Sequence, residues 1–440
     1  MRNLFVSLVL ASLVLAGCGG GGGSATTVSA GGGSSASGSS GSGSTPTADN
    51  VVNASVDQFS SGLSASNQAA VNIMYVHVTI CAPGSATNCQ TIDHVQVDTG
   101  SQGLRVLASV VHSSLLSALT PVTVNGGALA ECTQFVDGFS WGPIVTADLH
   151  IGGSDTATSG ESAPALPVQL IGAGSYSVPA ACSNGATNST PENTVAAFGA
   201  NGIIGIGLFD EDCGTVCSTG TGSGYYFSCT SNTNCAQTAV PITSQVINPV
   251  HALVANHGVT DNNGVIIDLP AVGATGAATV TGTLIFGIGT QSNNALPSSA
   301  TILTTDSYSG YVSVNFIGTN FPQSYLDSGS NAFYFNDSSL VACGQSSNAS
   351  GFFCSTASNL QATITGNNSV QATPTFSIAN AQELFANNPS DAAFANLGGP
   401  AGTDGTQVFA FGLPFFFGRP IFTAMENTNA GGTNGPYFAF

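Results

Sequence analysis

The chain has 440 residues, only 6% of them charged, and its 22 acidic against 3 basic side chains give a net charge of −19. Such a surface repels phosphate backbones and anionic headgroups, which excludes nucleic-acid binding and electrostatic docking on lipid. As pH falls the carboxylates protonate and the self-repulsion fades, which suits work in acid, although low-charge Ser/Thr/Asn/Gly-rich surfaces are equally common on exported proteins.

Arg2 followed by the apolar run Leu4 to Leu15 reads as an export signal, too short to span a bilayer as a helix. Leu15-Ala16-Gly17-Cys18 has the form of a bacterial lipobox, so residues 1–18 are expected to be a lipoprotein signal peptide with Cys18 as the lipidation site. Gly19, standing where an aspartate would retain the protein at the inner membrane, favours the outer one. The expected location is the bacterial cell envelope, by lipid anchor only. Residues 19–69 are expected to be a tether, Gly/Ser-rich to about Ser44, where that stretch spans about 30 Å on average. Without residues 1–18 the chain keeps Arg105 and Arg419 as its basic residues and has no lysine.

Beyond the tether, short runs rich in Val, Ile, Thr, Phe and Tyr alternate with Gly, Asn, Ser and Pro clusters, which is a mainly β pattern. The runs are Val71–Ile80, Val95–Val97, Val145–Ile151, Val265–Leu269, Thr283–Phe286 and Tyr311–Ile317. Helical spacing of apolar residues is confined to Leu107–Leu119, Val246–Val254 with Gly258 as its stop, and Ala381–Leu397, broken by Pro389. Of the eleven cysteines, ten remain once Cys18 is set aside, an even number suited to an oxidising compartment. Spacing pairs Cys81 with Cys89, Cys229 with Cys235 and Cys343 with Cys354, and leaves Cys132 for Cys182, while Cys213 and Cys217 share an insertion with Cys229 and Cys235. Six scattered histidines and the lack of C-x-x-C or H-E-x-x-H spacing give no metal site, and no cofactor is expected.

One phrase is written twice, about one lobe's length apart: Val97-Asp98-Thr99-Gly100-Ser101 and Leu326-Asp327-Ser328-Gly329-Ser330. Each copy is followed, at a broadly similar distance, by two apolar residues and a glycine: Ile203-Ile204-Gly205 after Asp98 and Phe416-Phe417-Gly418 after Asp327. An apolar pair ending in glycine is what a strand needs to pass closely behind a tight loop, since a side chain there would collide with it. The pattern reads as duplication, with one carboxylate loop and one backing strand in each half.

These loops and backing strands resemble those of the pepsin-like aspartic peptidases, over about residues 70–440 and in the family's order. Val97–Val106 resembles the first active-site loop, Asn201–Gly207 the first backing strand, Leu326–Ser330 the second loop and Phe416–Phe422 the final backing strand. The resemblance implies an all-β bilobal fold with a cleft between two β-barrel-like lobes, here residues 70–262 and 263–440. It implies a monomeric endopeptidase acting on polypeptide substrate, with Asp98 and Asp327 sharing a water and one proton. Two like charges ~4 Å apart repel by about 4 kcal/mol at an effective dielectric near 20, roughly three pKa units, so such a pair holds one proton over much of the acid range. The ionised member would take a proton from the attacking water, and the protonated member would donate to the peptide carbonyl oxygen. Ser101 and Ser330 would bond the outer carboxylate oxygens, Thr99 and Ser328 would tie the loops at their base, and Gly100 and Gly329 would let backbone N–H groups approach.

The first half departs from the family pattern. The flap hairpin corresponds to Cys132–Leu149, with Phe135 or Val136, before Asp137-Gly138, at the place of the family's flap tyrosine. Arg105 stands at the place of its tryptophan partner and is expected at the surface, or else beside a carboxylate near the cleft. Trp141, the only tryptophan, either covers the cleft or packs in the core. The rival reading is therefore a non-catalytic lipoprotein binding a peptide, glycan or protein in the same cleft.

Overall fold

The computed structural model describes residues 48–59, 71–136, 138–153, 160–183, 190–220, 224–402, 405 and 407–440. The signal segment with Cys18, the tether as far as residue 47, and Asp137 lie outside the described residues. The strands that position the site in the first half are β1 (Val51–Val56), β2 (Met74–Cys81), β3 (Cys89–Asp98), β4 (Gln102–Leu107), β5 (Gly127–Gln134), β6 (Phe139–Ile151), β7 (Glu161–Ile171), β8 (Gly202–Ile206) and β9 (Tyr226–Ser231). The second half supplies β10 (Gly264–Asp268), β11 (Val280–Phe286), β12 (Val312–Phe316), β13 (Thr319–Leu326), β14 (Phe333–Tyr334), β15 (Gly398–Gly399), β16 (Ala410–Phe411), β17 (Ile421–Ala424) and β18 (Tyr437–Ala439). All six expected strand runs fall on these elements, because branched and aromatic side chains suit a pleated, half-buried surface.

The tether expected to reach residue 69 is shorter than that. Val51–Val56 alternates buried Val52, Ala54 and Val56 with more exposed neighbours, the period of a strand covered on one face. It runs antiparallel to β11, with Val51 opposite Ile285 and Val56 opposite Val280, and Ser55 also pairs with Tyr75 of β2. The amino-terminal strand thus joins the two halves. β10, β11, β17 and β18 lie in the same 17-stranded sheet as the first-half strands, so the expected boundary at 262/263 falls inside continuous hydrogen bonding. β12 to β16 belong to a separate 8-stranded sheet.

Two of the three helical readings change. Leu107–Leu119 holds only a 3-10 turn at Ala108–Val110 and one helical turn at Ser113–Leu116. Val246–Val254 forms no helix: Asn248, just before Pro249, donates from Nδ2 to the carbonyls of Gly207 and Phe209 and accepts from Val250 N–H, so it stabilises a turn instead. Gly258 (φ +85°) bends the short Asn256–Val259 bridge. The third segment is helical at Ala381–Asn387, capped by the Asn380 side chain and ended before Pro389. Among the described residues no helix is long and apolar enough to cross a membrane.

The halves repeat one topology. β8 runs parallel to β3 and antiparallel to β4, and β4 runs parallel to β7. In the second half β16 runs parallel to β13 and antiparallel to β14, and β14 runs parallel to β15. One apolar core extends through both halves. Around the first loop it is aliphatic, with Val95, Val97, Leu104, Val106, Ile204 and Ile206 buried. Around the second it is aromatic: Phe409 stacks on Phe335 at 4.6 Å and on Phe411 at 4.7 Å. Five disulfides close, Cys81–Cys89, Cys132–Cys182, Cys213–Cys217, Cys229–Cys235 and Cys343–Cys354, which settles Cys213 and Cys217 on each other.

Candidate active site

Asp98 ends β3 and Asp327 follows β13, each at the start of a short loop that turns back into the next strand. The two loops make the same bonds. Asp98 Oδ1 accepts from Gly100 N–H at 2.7 Å and Oδ2 from the Ser101 hydroxyl. Asp327 Oδ1 accepts from Gly329 N–H at 2.7 Å and Oδ2 from the Ser330 hydroxyl at 2.7 Å. The bases are cross-linked reciprocally. Thr99 N–H donates to Ser328 Oγ at 3.1 Å, Ser328 N–H donates to Thr99 Oγ1 at 2.9 Å, and Ser328 Oγ donates to the Val97 carbonyl. These bonds hold two loops from opposite halves of the chain in one rigid frame.

The glycines show how tightly the loops face each other. A Cβ on Gly100 would lie 2.8 Å from Asp327 Cγ, and one on Gly329 would lie 2.4 Å from Asp98 Oδ1. The same Cβ on Gly329 would lie 3.1 Å from Asp327 Oδ1, so the two carboxyl groups face each other, and both residues are mostly buried, at 7% and 8% exposure. Burial, then the charge of Asp98 and the hydrogen bond to it, hold the Asp327 carboxyl well above the usual carboxylate range, against the opposing bonds from Ser330 and Gly329.

The first backing strand is where the sequence placed it. Ile204 pairs with Val97 and Gly205 with Asp98, and a Cβ on Gly205 would lie 2.6 Å from Ser101 Oγ. The second is not. Phe411 pairs with Leu326, Asp327 N–H donates to the Phe411 carbonyl, and a Cβ on Gly412 would lie 2.4 Å from the Ser330 carbonyl and 2.2 Å from that of Ala332. Ala410-Phe411-Gly412 therefore backs the second loop, one short step earlier in the chain than expected. Phe416 and Phe417 are buried beyond it, and Gly418 N–H bonds the Leu269 carbonyl.

The flap-like hairpin is β5 and β6, closed by a turn in which Phe135 N–H donates to the Gly138 carbonyl. Its end is held down. Phe139 N–H donates to the Thr190 carbonyl, Glu192 N–H donates to the Phe139 carbonyl, and Gln134 Nε2 donates to the Cys182 carbonyl beside the Cys132–Cys182 bond. Phe135 is half-buried with its ring edge-on to Phe198 at 5.9 Å, and a Cβ on Gly138 would strike the Thr190 carbonyl at 2.5 Å. Trp141 packs in the core, edge-on to Phe227 at 5.3 Å with Nε1 donating to the Tyr176 carbonyl, so it does not cover the cleft. Arg105 is not at the surface: it is 1% exposed and paired with Glu131, which belongs to a different strand and offered no local signal. Tyr325 was also missed. It precedes Asp327 by two positions, on the same strand face, and stacks on Tyr311; burial and then the Asp327 charge push its phenol pKa up. Among the described residues, no group of three or more His, Cys, Asp or Glu side chains is arranged to hold a metal ion.

Among solved structures the chain is similar to the crystal structure of aspartic proteinase from Irpex lacteus, with a TM-score of 0.50 and 13% identity, covering 88% of this chain and 96% of that chain. That likeness, together with the strand content, shows an all-β pepsin-like fold. A search of curated protein sequences gives no match. The family model described as "Protein of unknown function (DUF3443)" matches residues 46–440, and the chain belongs to that family.

Proposed function

We propose that this protein is an aspartic endopeptidase that hydrolyses peptide bonds in acid, held at the bacterial cell envelope by a lipid on Cys18. The observation that carries the reading is the juxtaposition of the Asp98 and Asp327 carboxyl groups across the Gly100 and Gly329 loops, each fixed by one glycine N–H and one serine hydroxyl. Asp327 is the member that keeps a proton, because it is buried beside Asp98. Asp98 then takes a proton from a water bound between the two, and Asp327 donates to the carbonyl oxygen as the water attacks. As the tetrahedral diol collapses, Asp98 passes its proton to the departing amine and Asp327 takes one back from a diol hydroxyl, which leaves the acid product and the pair as it began, ready for a new water. No covalent intermediate is required. Unfolded or exported polypeptides are the substrate class, since an open strand of substrate fits a cleft between two β halves.

Asp98→Asn and Asp327→Asn are each expected to lower hydrolysis of a denatured protein at about pH 3–5 by at least about 100-fold. Undiminished proteolysis in either variant would discard the mechanism. A non-catalytic binder is favoured by one feature only, the phenylalanine at the hairpin end with its backbone held down. Calorimetry with a pepstatin-type inhibitor separates the two: tight binding in acid that both aspartate variants lose supports the enzyme.

A further inference from the structure

Behind the Asp98 loop lies a buried ion cluster to which the peptidase mechanism assigns no part. Arg105 follows Gln102 by three positions on β4, and its guanidinium is sealed from solvent. Its hydrogen bonds all go to elements that frame the site. Nη1 donates to the Gln102 carbonyl at 2.7 Å. Nε donates to Thr133 Oγ1 at 2.8 Å and to Glu131 Oε2 at 3.2 Å, and Nη2 donates to Glu131 Oε1 at 2.6 Å. Nη2 also lies 3.5 Å from Asp212 Oδ2, and Asp212 accepts from the Tyr226 hydroxyl of β9.

Gln102 directly follows Ser101, whose hydroxyl bonds Asp98, while Glu131 and Thr133 belong to β5, the first strand of the flap-like hairpin. The loop rests on the cluster. A Cβ on Gly103 (φ +107°) would lie 2.0 Å from Val246 Cγ1 and 3.2 Å from Arg105 Nη1. Only a planar fork with donors on three nitrogens serves both sides at once, and a lysine ammonium lacks that reach and shape. The charges are nearly balanced within the cluster. Burial works against the Arg105 charge, but Glu131 and Asp212 outweigh it, while burial and then Glu131 hold the Asp212 carboxyl well above the usual range.

We propose that Arg105 is a positioning residue for the peptidase reaction, whose single guanidinium fixes the Asp98 loop and the hairpin strand β5 at a set separation. Hairpin and catalytic carboxylate then move as one body. The proposal rests on the peptidase reading and deepens it: the place of an aromatic pair at the hairpin is taken by an ionic clamp beneath it.

The test compares wild type, Asp98→Asn, Arg105→Lys and Thr133→Val as the full mature chain, with Ile364→Val in the second-half core as a stability control. Each is melted, and kcat, KM and the pH–rate profile are measured on a fluorogenic peptide library. Arg105→Lys keeps the charge and loses the fork, and its kcat is expected to fall roughly 10- to 100-fold. The acid limb of its profile, which reports the first ionisation of the carboxyl pair, is expected to move up, because a displaced Gln102 loosens the Ser101 bond that favours the charged form. Thr133→Val removes one bond and shifts both quantities the same way by less, and it decides the matter if Arg105→Lys does not fold. Ile364→Val lowers the melting temperature and leaves the acid limb in place. If the Arg105 and Thr133 variants melt earlier yet keep wild-type kcat and acid limb per folded molecule, Arg105 is a structural residue only and the proposal is wrong. If wild type is as inactive as Asp98→Asn, the peptidase reading itself has failed, and the positioning role goes with it.

Discussion

Glu161 shows how one buried side chain ties this fold to acid. It is 1% exposed on β7, and burial, then Asp261 and Asp49, raise its pKa from the ordinary 4.5 to about 8. The folded state therefore holds a proton that the unfolded chain releases above about pH 4.5. Its contribution to stability is complete below that value and is lost as pH climbs to about 8. The melting temperature should fall across this interval, and Glu161→Gln, which has the shape of the protonated acid, should flatten the fall; scanning calorimetry at stepped pH checks it. At this scale the two aspartates were legible because their loops repeat, and a repeat needs no knowledge of contacts. The burial of Arg105 was not, since Glu131 and Asp212 stand far along the chain and only the folded sheet brings them together. Trp141 was legible in kind only: an aromatic on an alternating strand must be buried somewhere, and Phe227 decides where.

Among the elements, the backing strands separate what pattern gives from what register gives. Both Ala410-Phe411-Gly412 and Phe416-Phe417-Gly418 satisfy the apolar-apolar-glycine rule, and nothing local prefers one. The pairing of Phe411 with Leu326 decides, because it sets Gly412 against the Ser330 and Ala332 carbonyls. Gly412→Ala should therefore cost about 1–3 kcal/mol of stability and displace the Asp327 loop, with a large loss of turnover. Gly418→Ala meets Ala271, its Cβ at 3.0 Å and its Cα at 3.3 Å, in a left-handed turn (φ +81°) away from the Asp327 loop, and should keep turnover while losing about 1–2 kcal/mol. Equal loss of turnover in the two variants would contradict the register. The helical reading of Val246–Val254 failed for a related reason. Apolar spacing is shared by helices and by turns whose asparagine bonds neighbouring carbonyls, as Asn248 does here.

For the molecule as a whole, the amino-terminal strand matters more than its short length suggests. β1 lies between β2 and β11, so its removal leaves both with unpaired edges where the halves meet. A chain starting after residue 59 should associate in size-exclusion chromatography and melt earlier than one starting at residue 48. The bilobal plan was legible from the duplicated phrase, whereas the sharing of strands between halves was not, because Val51–Val56 follows a Gly/Ser-rich stretch and has no neighbour in sequence to pair with. The cysteines add a point about biogenesis. Four of the five bridges join cysteines with a sequence separation of 11 or less and the fifth has a separation of 50, and none crosses from one half to the other. If the chain is exported as proposed, each thiol would meet its mate soon after both emerge from a translocation channel, before the distant half has been delivered. Oxidation can be finished segment by segment while the carboxyl pair is still unassembled, so an exported chain of this kind would acquire its covalent bonds first and its chemistry last.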